Sequence, residues 1–205
     1  MTKKISLLFA LLLPLFMLAG CGSPIEFVVS NQYDSLRPRT IAVLPVKWHA
    51  GADHDRDNIS NLLRTMTRDR LISMNYRVIP LDLVDREAGG EAAREGPTAI
   101  ARLLGADAVL YIGVEKWDKM KISDFASLDI KTRFELYSAR GTRLWAADYR
   151  DKDMDFRFDP KPMDFAVIKA YEPKLQRLVD SAFDTLPNGA VVTKAAKKTY
   201  FQWLP

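Results

Sequence analysis

Apolar residues recur along this chain in three rhythms, and each rhythm predicts a different element. Nearly continuous runs come first. Ile41, Ala42, Val43, Leu44 and Val46, within residues 37–48, suit a strand buried on both faces, and residues 106–114 (ADAVLYIGV) read the same way. Pro45 has no N–H to donate to a ladder, which places it at a strand end. The second rhythm is alternation. Leu128, Ile130, Thr132, Phe134 and Leu136 face one way and Asp129, Lys131, Arg133 and Glu135 the other, as in a half-exposed antiparallel strand over 127–137. Residues 138–141 turn, with Gly141 suited to the positive φ of a bulged hairpin, and 142–149 return.

The third rhythm is helical. Ile59, Leu62, Leu63 and Met66 fall at i, i+3, i+4 and i+7, predicting a helix over 58–74 capped by Asp57 or Asn58, with Arg64, Arg68 and Arg70 on a solvated face. Pro97 opens a short helix whose face is Ile100, Leu103 and Leu104, and Gly105 ends it. Residues 165–185 read as helix with a break before Pro173 and a face of Leu175, Leu178, Val179 and Ala182. A short strand is expected at 76–80 (YRVIP), followed by a turn from Leu81. Residues 88–96 and 151–163 read as polar loops, and 22–37 (GSPIEFVVSNQYDSLR) as a linker, because Ser23, Pro24, Ser30, Asn31 and Asp34 disfavour packing. Such a linker would reach about 50 Å at most. The resulting order, β-α-β-α-β-β-β-α, predicts an α/β fold: a mixed β-sheet of about five strands with helices packed on it.

The N-terminus follows another logic. Lys3 and Lys4 precede the apolar run 5–18, which is the length of a secretory signal and short of the roughly 20 residues a comfortable membrane span needs. Leu18-Ala19-Gly20-Cys21 then resembles the lipobox of bacterial lipoprotein signal peptides at all four positions. That resemblance implies cleavage between Gly20 and Cys21, diacylation of the Cys21 thiol and acylation of the new amine. An ordinary signal peptide with a chance cysteine is the alternative. Each buried acyl CH2 contributes about 0.8 kcal/mol, so several chains anchor durably where one does not. Cys21 is the only cysteine, which leaves no thiol for a disulfide, nucleophile or metal site once it is lipidated. Gly22, where an inner-membrane lipoprotein carries Asp, implies by the same resemblance the outer membrane.

Domain organisation is then a signal peptide at 1–20, a lipidated N-terminus and linker at 21–37, one periplasmic α/β domain at 38–185, and a basic, aromatic tail at 186–205. Loss of Lys3 and Lys4 lowers the formal charge from +4 to +2, too little to argue for nucleic acid. Ile41-Ala42-Val43-Leu44-Pro45 and Leu104-Gly105-Ala106-Asp107, in this order and followed by a hairpin at RGTRLWAADY, resemble the domain shared by CsgG, the LpoB-type activators and the N-terminal domain of TolB. In size and layout the chain is most similar to small outer-membrane lipoproteins typified by a genome-derived neisserial antigen. Two departures are Val46, where the wider group carries an aromatic residue, and the Gly-rich segment 88–96, which stands in for a regular helix.

Candidate chemistry is sparse. His49 and His54, with Asp53, Asp55 and Asp57, have the ligand types of a zinc site, and a solvated loop leading into a helix is the competing reading. A calcium loop starting at Asp53 fails, because its sixth position is Asn58 and its twelfth Arg64. No P-loop, dinucleotide fingerprint or nucleophile elbow occurs, so neither an enzyme nor a cofactor is expected. In the tail, Lys197, Lys198, Tyr200, Phe201 and Trp203 could dock on a partner or a membrane, or pack on the domain itself, and Trp117, Trp145 and Trp203 could equally be core. The resemblance implies a lipoprotein that acts by protein contacts in an envelope assembly, through self-association or with other envelope lipoproteins. A CsgG-type secretion pore is a further reading, limited by a single visible hairpin at 127–149. An LpoB-like activator of a cell-wall synthase is another, limited by linker reach.

Overall fold

A computed structural model describes residues 25–49, 56–88, 96–122, 125–157 and 164–189. The elements in chain order are β1 (Ile25–Val29), α1 (Tyr33–Leu36), β2 (Thr40–Val43), β3 (Lys47–Trp48), α2 (Arg56–Ser73), β4 (Arg77–Val78), α3 (Leu81–Glu87), α4 (Pro97–Leu104), β5 (Ala108–Ile122), β6 (Phe125–Ser138), β7 (Arg143–Arg157) and α5 (Asp164–Phe183). Seven strands make one open mixed sheet in the order β1-β7-β6-β5-β2-β4, with β3 also paired to β5. Pairs among β2, β3, β4 and β5 are parallel, and β5–β6, β6–β7 and β1–β7 are antiparallel.

The five expected strands are all present, and two more join them. Pro45 interrupts a strand rather than ending it. Ile41–Val43 pair with Ala108–Leu110, and pairing resumes at Lys47 opposite Gly113. The second addition is larger. Residues 22–37 are not a free linker, since Ile25–Val29 lie antiparallel on Trp145–Tyr149 as the edge strand β1, and α1 follows.

Helices cover both faces of the parallel half. The larger core packs Ile59, Leu63, Met66 and Leu71 of α2 and Leu175, Leu178, Val179, Ala182 and Phe183 of α5 against the inward side chains of β5, β6 and β7. The alternating set Leu128 to Leu136 is buried there throughout, as the period of two requires. A smaller core on the opposite face joins Val84 of α3 and Ile100 and Ala101 of α4 to Ala42, Leu44 and Val109. Leu103, expected inside, is 52% exposed, and Ala101 takes its place.

Several boundaries differ from the sequence expectations. Helix α2 begins at Arg56, so Asp57 and Asn58 lie in its first turn and neither is its cap. Residues from Leu81 form the helix α3 rather than a turn. Helix α5 carries Pro173 inside it without a break. Residues 151–157, expected as loop, continue β7 against β6. Gly105 ends α4 in the left-handed conformation (φ 60°), as its position suggested.

Candidate functional site

β1 is antiparallel to β7: Ile25 lies opposite Tyr149 and Val29 opposite Trp145, so β1 enters the sheet from the side toward which β7 runs beyond Tyr149. Toward that end β5, β6 and β7 extend as a three-stranded meander, paired out to Ile122 with Phe125 and to Phe125 with Arg157. Cys21 and Gly20 lie outside the described residues, and only residues 22–24 separate Cys21 from β1.

β1 is short, lies at the sheet edge and exposes apolar side chains on both sides, Phe27 and Val29 on one and Val28 beside Glu26 on the other. Phe27 is 54% exposed and Val28 62%, and Val29 is exposed as well. Its outer backbone edge meets no other described strand. The sequence did carry a signal for this strand. Four apolar residues in IEFVV, two of them β-branched valines, fit a strand. The flanking Pro24, Ser30 and Asn31 were read as linker, although they are also what bounds a strand.

On the face of β5–β7 opposite α2 and α5, α4 covers only the start of β5 and the adjoining end of β6; beyond it no described helix lies over the strands, and cross-strand ion pairs hold them. Arg133 donates to both oxygens of Asp148, directly opposite, at 2.7 and 2.9 Å. Lys116 reaches Asp129 at 2.5 Å and Arg143 reaches Glu135 at 3.1 Å. Hydrogen bonding to Asp148 raises the Arg133 pKa further above its ordinary value, and that carboxylate's charge adds to the effect. Tyr111 and Tyr137 meet edge to face at 5.6 Å, with the Lys47 ammonium over Tyr111. Burial raises both hydroxyl pKa values, and the Glu135 carboxylate adds to the rise at Tyr137. These six charges pair with one another across the strands, so the face is strongly polar.

Arg64 departs most from the sequence reading. It is 6% exposed instead of solvated. Its Nε and Nη2 donate to the Val43 carbonyl at 3.1 and 2.9 Å, and Nη1 donates to Asp85 at 2.6 Å. Arg70 is also engaged, with Asp180 of α5 and with Asp184 just past its end.

At the far end of the sheet a cavity of about 230 Å³ is lined by Tyr33, Asp34, Arg37, Pro38 and residues 187–189. Its polar atoms are already used, because the Tyr33 and Tyr76 hydroxyls bond each other and Tyr76 donates to the Pro187 carbonyl.

The remaining candidates divide cleanly. His49 ends the β3 segment, its N–H donating to the Val114 carbonyl at 2.9 Å. His54, Lys197, Lys198, Tyr200, Phe201 and Trp203 lie outside the described residues. Trp145 and Trp117 are core residues. Among the described residues no three His, Cys, Asp or Glu side chains cluster as metal ligands, and no helix is long and apolar enough to cross a membrane.

No protein-family profile matches the sequence, and no curated protein matches it. Solved structures do. The lipoprotein GNA1162 from Neisseria meningitidis superposes with a TM-score of 0.50 over 70% of this chain and 99% of that one, at 17% identity. A PelC dodecamer from Paraburkholderia phytofirmans gives 0.48 over 78% and 95%, at 14% identity. The hypothetical protein CT253 from Chlamydia trachomatis gives 0.45 over 71% and 93%, at 14% identity. At such identities the likeness is one of fold: this chain's mixed sheet and its covering helices are those of the neisserial lipoprotein.

Proposed function

We propose that the protein is an envelope lipoprotein, anchored in the outer membrane through acylated Cys21, that works by protein contacts and not by catalysis. The observation that carries this reading is the join between lipobox and fold. Leu18-Ala19-Gly20-Cys21 is followed after three residues by a strand built into the sheet. A domain so tethered is a membrane-surface body, and the uncovered part of the β5–β7 face is left for a partner, whether a second copy or another envelope lipoprotein. The neisserial likeness in fold supports a lipoprotein, and membership of the CsgG/LpoB/TolB-like group rests on the sequence resemblance alone.

The short tether weighs against an activator that must cross the cell wall, since three residues extend only about 10 Å. A secretion pore gains one point, because the meander supplies two hairpins where one was expected, with strands longer than the roughly 9 to 11 residues a span requires. It is limited by the core: Leu128, Ile130, Phe134 and Leu136 of β6 are buried against the domain's own helices, which leaves that face no lipid to meet.

The test is the native mass of the lipidated protein in mild detergent, with mass spectrometry of the intact chain and its companions. Acyl chains on Cys21 and a discrete oligomer or complex support the reading. An unmodified Cys21 refutes the anchor, and a companionless monomer refutes the assembly role.

A further inference from the structure

We infer that the β1 edge seats the domain on the lipid bilayer, strands lying along the membrane surface, with Phe27, Val28 and Val29 against the headgroups. The inference rests on acylation of Cys21. From Cys21 to Ile25 the chain spans about 14 Å at most. From Tyr149, level with Ile25, to Arg157, β7 advances about 26 Å in the same direction. If the strands stood upright with that end toward the membrane, the tip of the meander would pass roughly 12 Å beyond the lipidated residue and into hydrocarbon. Beyond the level of Cys21 that tip carries Asp155 and Arg157 of β7 and Lys121 of β5, and an arginine or lysine costs about 2–4 kcal/mol at the bilayer midplane, so the upright seat is disfavoured. Inverted, the body of the domain below Ile25 would have to enter instead. Only an edge-on seat keeps both ends out of the bilayer, and β1 is an edge strand.

The surface chemistry of β1 agrees. Three consecutive large apolar residues are exposed within six to eight positions of the anchor, and an apolar rim beside a lipidated residue suits the interface between headgroups and acyl chains. Bilayer contact would also shield the unpaired strand edge from pairing with other chains. Of the possible occupants of this edge, the bilayer is the one the tether itself brings within reach.

The full lipidated protein carrying Val28→Cys tests this, because acylated Cys21 leaves the new thiol as the only labelling site. Labelled with an environment-sensitive fluorophore in phosphatidylethanolamine–phosphatidylglycerol vesicles, it is expected to shift to the blue. It should also lose at least half its emission to lipids carrying a headgroup-proximal quencher. Leu103→Cys, exposed on α4, should do neither, and Phe27→Cys should repeat the Val28 result should that variant fold poorly. A Val28 label that behaves like Leu103 on an acylated protein overturns the edge-on seat alone. A blue shift without lipid quenching, rising with protein density, overturns it in favour of a second copy. An intact mass lacking acyl chains overturns the anchoring itself.

Discussion

Arg64 offers the sharpest test of how this fold is held together. β4 is only two residues long, and Leu81, whose N–H would come next in register after Arg77 and Ile79, has already turned into α3. The ladder on that side of β2 therefore stops, with Ile79 N–H donating to the Ile41 carbonyl. The next outward carbonyl, Val43, would be left buried and bare. Arg64 supplies the missing donors from α2, two to Val43, with a longer one to the Leu81 carbonyl at 3.4 Å. A buried carbonyl stripped of its partner costs about 1–3 kcal/mol, and bonds from a charged donor lie at the upper end. Arg64→Met keeps most of the apolar stem and removes only the guanidinium, so its cost should be about 2–3 kcal/mol.

The Asp85 ion pair is the rival explanation. Its carboxylate side is 50% exposed, so solvent screens it and Asp85→Asn should cost no more than about 1 kcal/mol. Thermal unfolding of the lipidated protein in nonionic detergent, followed by far-UV circular dichroism, separates the two. Arg64→Met should lower the midpoint by roughly 5–10 °C and Asp85→Asn by at most about 4 °C. Equal losses in the two variants would assign the energy to the ion pair and refute the capping role. A midpoint for Arg64→Met within about 1 °C of wild type would show that Val43 needs no protein donor.

Other outcomes follow from the same geometry. Asp107 Oδ2 accepts two N–H groups where β2 starts, from Arg39 just before it at 3.0 Å and from Thr40 at 2.9 Å; Asp107→Ala should lower stability by about 1–2 kcal/mol in denaturant titration, and Asp107→Asn by less. Burial raises the Tyr33 hydroxyl pKa well above its ordinary 10.0, with its bond to Tyr76 adding to the rise, and Tyr76 is raised by burial too. The native state thus holds these protons more tightly than the unfolded chain. Their stabilisation is complete below about pH 10 and declines as pH rises above it; melting midpoints from pH 8 to 11 should fall at the alkaline end, less steeply in Tyr33→Phe. Gly141 has φ +82° and an added Cβ would lie 2.9 Å from Thr98 Oγ1, whereas Gly105 (φ +60°) has open space. Alanine at Gly141 should therefore cost about 1–3 kcal/mol, and more than alanine at Gly105 in the same melts.

Legibility in the sequence tracks burial. β6 announced itself by alternation because one of its faces is core and the other water, and α5 by its stripe because that stripe meets the sheet. The LLGAD segment was visible as a motif, and its reason is mechanical: Gly105 turns the chain out of α4 and Asp107 ties β5 to the start of β2. Arg64 was misread because periodicity assigns a charged residue to water, while a truncated ladder two elements away had created a need for buried donors. No local pattern encodes that need. The chain also shows why Pro173 failed as a breaker: a proline removes one helical donor, and here α5 continues through it, with Lys174 and Leu175 buried just beyond.

The strands that escaped notice have a common cause. Residues 151–157 carry five charges, and β1 is apolar at the rim of the sheet with its neighbours polar. Neither pattern carries the alternation of a half-buried strand, and in β1 every residue after Ile25 is exposed. Both are held by backbone pairing to β7 or β6, a contact that leaves no mark on side-chain choice. A segment selected to meet a membrane or a partner keeps the side chains that encounter needs, at the expense of those that advertise an element. The failure of periodicity at β1 is thus itself informative: exposed Phe27 and Val28 contribute little to the domain's own core, and what they do must be sought outside it.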